Sequence, residues 1–242
     1  MIQKGNNMDH FIEIYKNQTH AYHKMINCED FENNLLKTIL QFAPITARKV
    51  LDLGSGTGRM PLLFKELKPD LVALDISFQM LVEQQIQMQQ VTGNWSLAQG
   101  DIRHLPIRDA WADVTTAGWA AGHFCSWYPD TWQEEIDRFI HEMQRVTKPF
   151  GQLFIMETLG TGKETPAPPT QAHTEYYERI EAKWGFQREV IRTDYRFQSL
   201  EDAKKNTTFF FGQELAEQID QKEWKTLPEW TGVWHRMNQV LR

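Results

Sequence analysis

The sequence is poor in the features that mark exported, metal-binding or membrane proteins. It has two cysteines in 242 residues, Cys28 and Cys125, and no CxxC pair, which indicates a reducing compartment rather than a disulfide framework. Its histidines form no HxH or HxxxH pair, so we predict no metal site. No apolar run approaches the roughly 20 residues of a membrane span, and the polar first residues lead into no apolar signal segment. These absences predict a cytoplasmic protein without membrane association.

Clustered positive charge is also missing. The chain has 26 basic and 32 acidic side chains, a formal net charge of -6, and no run of Lys or Arg longer than two residues. Because nucleic acids bind largely through clustered cations, we predict no nucleic-acid partner. Apolar residues make up 41% of the chain, which is ordinary for a globular protein, and the length fits one α/β domain with an added cover.

Hydrophobic periodicity alternates between helix and strand over most of the chain. Buried strands are predicted over 49–53, 71–74, 95–98, 112–117 and 152–157. Helices are predicted over 30–42, 58–67 and 78–91, with Asp30 and Ser77 as caps, and a further helix opens at a capping box of Asp130 and Gln133. Such alternation requires right-handed crossovers and a parallel sheet covered by helices on both faces. The prediction is therefore a doubly wound, Rossmann-like α/β fold.

The last third of the chain departs from this regular alternation. A loop rich in Pro, Gly and Thr is predicted over 160–170, followed by a helix over 173–184 and a strand over 189–197. Further helices begin at Ser199 and cover 214–221, and a final strand over 230–236 is predicted to close the sheet edge.

Three polar features fall at the ends of the first three predicted strands. The glycine-rich segment 52–58, DLGSGTG, follows the first strand, where glycines let the backbone turn tightly and the next helix offers free N–H groups to a ligand. Asp75 ends the second strand, where a carboxylate can accept both ribose hydroxyls of a nucleoside. Asp101 follows the third strand. Since the carboxyl ends of parallel strands share one edge, the three features predict a nucleoside site there.

These residues resemble the class I S-adenosylmethionine-dependent methyltransferase family, particularly its quinone-biosynthesis branch. The family's glycine motif corresponds to residues 50–59, its ribose acid to Asp75, its adenine-binding pair to Asp101 and Ile102, and its turn before strand five to residues 145–153. The resemblance covers about 48 to 157. Phe150 stands where the family usually has a second glycine in that turn.

The resemblance implies S-adenosylmethionine as cofactor, S-adenosylhomocysteine as product, and a mostly parallel seven-stranded sheet with an antiparallel last strand and a helical cap. It implies one methyltransferase domain over 1–242, with an N-terminal helical cover over 1–43 and a helical insertion over 198–228. The implied cofactor-binding residues are Asp52, Gly54, Ser55, Gly56, Gly58, Asp75, Ile76, Asp101, Ile102, Ala117, Gly118 and Tyr22, with Tyr15 an alternative to Tyr22.

The implied reaction is methyl transfer by in-line displacement, in which the protein mainly aligns donor and acceptor and excludes water. The acceptor is predicted to be a small molecule bound by a monomer or homodimer. Residues predicted to border the acceptor are Trp119, His123, Trp127, Tyr128 and Glu157. His123 is the predicted proton acceptor because histidine titrates near neutral pH, although a lone histidine can also be purely structural.

Two alternatives stay open on the sequence. A nicotinamide-dependent oxidoreductase also uses a glycine turn and a ribose acid, but its GxGxxG fingerprint needs glycine at position 59, where the chain has Arg59. The other alternative is a module that binds S-adenosylmethionine without catalysis, which no residue pattern excludes.

Overall fold

A computed structural model describes residues 6–91 and 94–239, so the first five residues of the predicted cover lie outside the described part. Its strands are β1 (Lys49–Leu53), β2 (Asp70–Asp75), β3 (Ser96–Gln99), β4 (Ala112–Gly118), β5 (Thr147–Thr161), β6 (Gln187–Arg192), β7 (Tyr195–Arg196), β8 (Thr226–Leu227) and β9 (Glu229–Met237). Its helices are α1 (Asn6–Asn17), α2 (Thr19–Ile26), α3 (Asn34–Phe42), α4 (Arg59–Phe64), α5 (Phe78–Gln89), α6 (Phe124–Trp127), α7 (Trp132–Val146), α8 (Gln171–Ala182), α9 (Leu200–Phe211) and α10 (Gln213–Lys222).

Seven strands form one sheet in the order β3-β2-β1-β4-β5-β9-β6, and β7 pairs with β8 separately. All neighbouring pairs from β3 to β5 are parallel, whereas β9 runs antiparallel to both β5 and β6. The predicted doubly wound, mostly parallel sheet with an antiparallel last strand is thus confirmed. The strand order reverses at β1, between β2 and β4, which is where open α/β sheets bind ligands.

The position of the last strand was predicted wrongly. We expected the final strand to close the sheet edge, but Gly232 of β9 pairs with Glu157 of β5 on one side and Val190 of β6 on the other. The edge strand is β6. A hydrophobic period shows that a segment is a strand, but it carries no information on the order of strands in the sheet.

The strand predicted over 189–197 is also wrong beyond Arg192. Asp194 accepts hydrogen bonds from the Arg192 guanidinium at 2.7 Å and from the Glu229 N–H at 2.9 Å. These bonds turn the chain out of the large sheet, and Tyr195 then pairs with Leu227 in the smaller one.

Helix starts agree with the sequence prediction in part. Ser77 and Ser199 accept hydrogen bonds from the N–H groups of Met80 and Asp202, as expected of N-caps. The capping box at Asp130 is wrong, because α7 begins at Trp132 with no side-chain cap bond. Asp30 lies outside α3, which starts four residues later, yet its carboxylate accepts the N–H groups of Asn34 and Leu35.

Apolar residues on successive positions of the strands divide the core between the two faces of the sheet. Leu51 and Leu53 pack with Phe139 of α7 on one face, while Val50 packs with Ile39 of α3 and other residues on the opposite face. A third cluster joins α2 to α9 and α10 through Met25, Ile26, Ala203, Leu215 and Ile219. We call α1, α2, α9 and α10 together the cover helices. Within the described ranges, no helix is long and apolar enough to cross a membrane.

Candidate functional site

A cavity of about 1030 Å³, including its part open to solvent, lies at the carboxyl ends of β1, β2 and β4. We call it the edge cavity. Most of the residues predicted for the cofactor line it: Tyr22, Asp52, Gly54, Ser55, Gly56, Asp75, Ile76, Asp101, Ile102 and Gly118. Four residues predicted for the acceptor line it as well: Trp119, His123, Trp127 and Tyr128.

The glycine loop needs the backbone freedom of glycine at its centre. Gly54 and Gly56 have φ values of +67° and +53°, which side-chain-bearing residues rarely adopt. A Cβ on Gly54 would lie 2.4 Å from the Cβ of Ala120, whereas a Cβ on Gly56 would meet nothing within 4 Å. Asp75 fixes the loop, since its carboxylate accepts the Gly56 N–H at 2.8 Å and the Ser77 N–H at 2.7 Å.

Asp52 carries a carboxylate oxygen that no group satisfies. Its Oδ1 accepts a hydrogen bond from the Thr116 hydroxyl at 2.7 Å, but its Oδ2 is buried without a hydrogen-bond partner among the described residues. Burial raises the pKa of this carboxyl to about 7. A ligand that brings a donor or a positive charge to Asp52 would therefore relieve a buried, unsatisfied group.

Asp101 is held in a pair that the sequence analysis missed. Arg103 donates to both of its oxygens, from Nε at 2.9 Å and from Nη2 at 2.6 Å, and a third bond joins Arg103 to Glu135 at 2.6 Å. Burial raises the pKa of Asp101, but the bonds from Arg103 outweigh it and leave the pKa below its usual value. Asp101 is thus an ionised acceptor whose oxygens are fixed in position.

Two residues predicted to bind the cofactor do not line the cavity. Gly58 begins α4, and a Cβ there would meet the Gln84 side chain at 2.8 Å. Ala117 is fully buried in β4, one residue before Gly118, which does reach the cavity. Neither Gly58 nor Ala117 reaches the surface of the edge cavity.

His123 stands in a row of aromatic side chains. Its Nε2 lies 3.0 Å from the Tyr15 hydroxyl, and its ring stacks on Trp127 with centroids 4.8 Å apart. Burial, aided by the neighbouring His173, lowers the pKa of His123 to about 4. The imidazole is therefore neutral near pH 7 and a weak proton acceptor.

A second cavity of about 1930 Å³, again including its part open to solvent, lies between the cover helices and the strands β5 and β9. We call it the cover cavity. It adjoins the edge cavity, because both are lined by Tyr15, Tyr22, Ile26, Arg59, Trp119 and His123. Glu157, predicted to border the acceptor, lines only the cover cavity; it accepts the Gly122 N–H at 2.8 Å, and burial raises its pKa to about 8.

Arg59, Glu29 and Glu229 are functional candidates that the sequence analysis did not identify. Arg59 stacks over the Trp119 ring at 3.6 Å and donates to Glu29 at 2.8 Å. In the described part of the chain, Arg59 Nη2, Glu29 Oε1 and Glu229 Oε2 are buried without hydrogen-bond partners. The only available signal was that Arg59 is the last residue of the glycine motif, since Glu29 and Glu229 lie far from it in sequence.

Most of the residues that line the edge cavity lie in a part of the chain that matches a known domain. Residues 51–155 match the family described as methyltransferase domain. The chain is 34% identical over 113 residues to a demethylmenaquinone methyltransferase of Lactobacillus johnsonii, covering 45% of this chain and 43% of that protein. It is 27% identical over 147 residues to a malonyl-[acyl-carrier protein] O-methyltransferase of Pectobacterium atrosepticum, covering 59% and 53%. The chain thus spans about half the length of these curated relatives.

Solved structures agree on the fold. A SAM-dependent methyltransferase from Aquifex aeolicus superposes with a TM-score of 0.54 at 16% identity, covering 88% of this chain and 97% of that one. Phosphoethanolamine N-methyltransferase 2 of Haemonchus contortus, solved with S-adenosyl-L-methionine, gives a TM-score of 0.57 at 18% identity, covering 94% and 59%. Residues 51–155 thus match the methyltransferase domain family, and the chain has the fold of the S-adenosylmethionine-dependent methyltransferases.

Proposed function

We propose that the protein transfers a methyl group from S-adenosylmethionine, the cofactor of its family, to a small molecule. The observation that carries this proposal is the pair of adjoining cavities: the edge cavity contains the family's nucleoside-binding residues, and the cover cavity meets it at Trp119, Arg59 and His123. A donor in the first cavity and an acceptor in the second would react across this shared wall.

The residues of the edge cavity fit the cofactor at both ends. The unsatisfied Asp52 Oδ2 and Arg59 Nη2 suit the ammonium and the carboxylate of its amino-acid end. Asp75 would accept the ribose hydroxyls, and Asp101 with Ile102 would bind the adenine edge. Ile76, whose residue surface is 56% exposed, would pack on the adenine face and lose that exposure.

The bound cofactor supplies a methyl group already activated by a sulfonium, so the chain's own residues need only align the acceptor, exclude water and take up a proton. Trp119, Trp127 and Tyr128 would border the methyl side of the edge cavity. Among the proton acceptors, Glu157 has the pKa nearer to neutral pH, about 8 against about 4 for His123. We therefore assign the proton to Glu157 and a positioning role to His123 through its contact with Tyr15.

A small-molecule acceptor is consistent with the relatives' names, which include a demethylmenaquinone and a malonyl-[acyl-carrier protein] methyltransferase. We propose that the cover helices act as a lid of the acceptor site within one domain, because α1, α2 and α9 contribute Tyr15, Tyr22 and Phe210 to its wall. A cytoplasmic location and a monomeric or dimeric state stay predictions.

Thermal denaturation with S-adenosylhomocysteine, and separately with NAD, tests the cofactor. A ligand at about 100 times its dissociation constant stabilises by roughly 2.7 kcal/mol, or about 5 to 10 °C in Tm for a chain of this size. Stabilisation by NAD alone would contradict the proposal. Transfer of labelled methyl to a panel of thiols, phenols, amines and quinols then tests catalysis, and binding without any transfer would favour the non-catalytic module.

A further inference from the structure

The acceptor side of the protein lies largely outside the part matched by its family. The methyltransferase domain match ends at residue 155 and begins at residue 51, whereas Glu29, Glu157 and Glu229 of the cover cavity all lie beyond those limits. The chemical class of the acceptor must therefore be inferred from the side chains that line the cover cavity.

Carboxyl groups outnumber cations in the buried wall of the cover cavity. The residues Glu29, Glu157 and Glu229 are 9%, 4% and 2% exposed, and we call them the carboxyl wall. One cation, Arg59, with a side chain that is 17% exposed, lies among them and donates to Glu29 through Nη1. The other ionisable side chains lining the cavity are Tyr15, Tyr22, His123, Cys125, Lys163, His173 and Tyr195, of which Lys163 is exposed.

Two oxygens of the carboxyl wall are unsatisfied. Glu229 accepts the Thr158 hydroxyl through Oε1 at 2.6 Å, but its Oε2 has no partner in the described ranges, and neither has Oε1 of Glu29. Burial and the nearby charge of Glu29 raise the pKa of Glu229 to about 8. Both side chains therefore need hydrogen-bond donors, and preferably a positive charge.

The remaining wall is aromatic. Rings bind cations through their negative faces, and such a contact gains strength where water is excluded. The aromatic residues lining the cover cavity are Phe11, Tyr15, Tyr22, Trp119, Tyr195, Phe210 and Phe211.

We propose that the acceptor molecule carries a protonated amine, which binds between Glu29 and Glu229 beneath these rings. The inference rests on the proposed function and specifies its substrate class. An ammonium supplies both the donors and the charge that the two carboxyls need. An anionic acceptor would instead meet the three carboxyls of the wall, and the Arg59 Nη2 that lacks a partner is the group proposed for the carboxylate of the cofactor. A neutral carbonyl ligand would use the protonated carboxyls instead, and the pH dependence of binding separates these cases.

The test measures binding by titration calorimetry to protein saturated with S-adenosylhomocysteine. The probes are arylalkylamines with one to four methylenes, each compared with the alcohol and the carboxylate of equal length. We expect one amine or more to bind at least tenfold more tightly than its matched alcohol. Between pH 6.5 and 8.5 its affinity should rise by roughly 25-fold, as expected for one carboxyl with a pKa of about 8. Amines stay protonated over this range, and His123 and His173, whose pKa values are lowered, stay neutral.

The Glu229→Gln variant should bind the amine no more tightly than the alcohol, and the pH dependence should flatten. Its amide oxygen can still accept the Thr158 hydroxyl, so the fold is retained, as an unchanged circular-dichroism spectrum would verify. Glu178→Gln, on the exposed face of α8, is the matched control and should bind as the parent does. If no amine exceeds its alcohol, if a carboxylate binds best, or if affinity falls with pH, the amine assignment is overturned. Absence of S-adenosylhomocysteine binding would instead overturn the proposed function.

Discussion

Asp75 has two tasks, because it both fixes the glycine loop and faces the edge cavity. Its oxygens already accept the N–H groups of Gly56 and Ser77, so a ribose hydroxyl would use the remaining lone pairs of the same carboxylate. Asp75→Asn removes the charge and turns one acceptor into a donor. We expect the affinity for S-adenosylhomocysteine, measured by calorimetry, to fall at least tenfold.

The matched control for this substitution is Asp70→Asn, at the exposed start of the same strand. It should change neither the affinity nor the Tm. An Asp75→Asn protein that binds S-adenosylhomocysteine as the parent does would contradict the ribose assignment.

Glu157 and His123 are the two candidate proton acceptors, and their different pKa values predict different pH dependences of kcat. A base with a pKa of about 8 gains its proton-accepting form as pH rises from 7 to 9, so kcat should rise over that range. Glu157→Gln should lower kcat by about 10² to 10⁴ and remove the rise, while S-adenosylhomocysteine affinity stays unchanged. His123→Asn should keep the rise. If kcat still rises with pH in Glu157→Gln, another residue is the proton acceptor.

Residues in a contiguous motif could be predicted, and residues brought together by the cover could not. Asp52, Gly54 and Gly56 lie in one segment whose glycine spacing has a direct backbone meaning, and they line the edge cavity as expected. Glu29 and Glu229 come from opposite ends of the chain, and each alone is an ordinary acidic residue. Their juxtaposition depends on tertiary contacts such as the bridge between Glu29 and Tyr195, which periodicity does not encode.

At the scale of elements, β5 has a left-handed residue that is not glycine at the irregularity in its pairing with β4, between the pairs Ala112–Thr147 and Val114–Gln152. Phe150 has a φ of +64° and is 71% exposed, so its ring contributes little packing. The left-handed conformation costs a side-chain-bearing residue roughly 1 to 2 kcal/mol. Glycine would avoid this cost but lose about 0.4 to 1 kcal/mol through the flexibility of the unfolded chain.

Phe150→Gly should therefore raise the free energy of unfolding by about 1 kcal/mol, measured by urea denaturation. Phe150→Ala keeps the Cβ and should give no such gain, which separates backbone strain from removal of the exposed ring. A loss of stability in the glycine variant would mean that the ring makes contacts outweighing the strain.

The elements themselves were predicted better than their arrangement. Apolar runs located β1, β2 and β4 closely because these strands are buried on both faces, and the cap residue Ser77 marked the start of α5. The predictions failed at two places. After β6 the side chain of Asp194 redirects the chain, and β9 pairs with a strand on each side.

For the whole molecule, stability should depend on pH through the buried carboxyls. Asp52, Glu157 and Glu229 have pKa values of about 7, 8 and 8 when folded, well above their unfolded values. The folded chain thus holds more protons between the two sets of pKa values. The stability linked to these protons is fully present below about pH 4 and is lost progressively as pH rises to about 8. His123, with a lowered pKa, has the opposite effect only below about pH 6.5.

We therefore expect the Tm of the ligand-free protein to fall between pH 6.5 and 8.5, and to fall less in Glu229→Gln. Calorimetric scans at constant ionic strength measure both slopes. A Tm that rises over this interval would show that the carboxyls are ionised and satisfied in the folded protein.

The place of β9 has a consequence for synthesis. It leaves the ribosome after β5 and β6, yet it lies between them and forms hydrogen bonds with both. Until Glu229–Met237 has emerged, β5 and β6 each present an unpaired edge that a neighbouring nascent chain can join. The sheet is therefore completed only after β9 has been made, and chaperones that shield strand edges should matter most before that point.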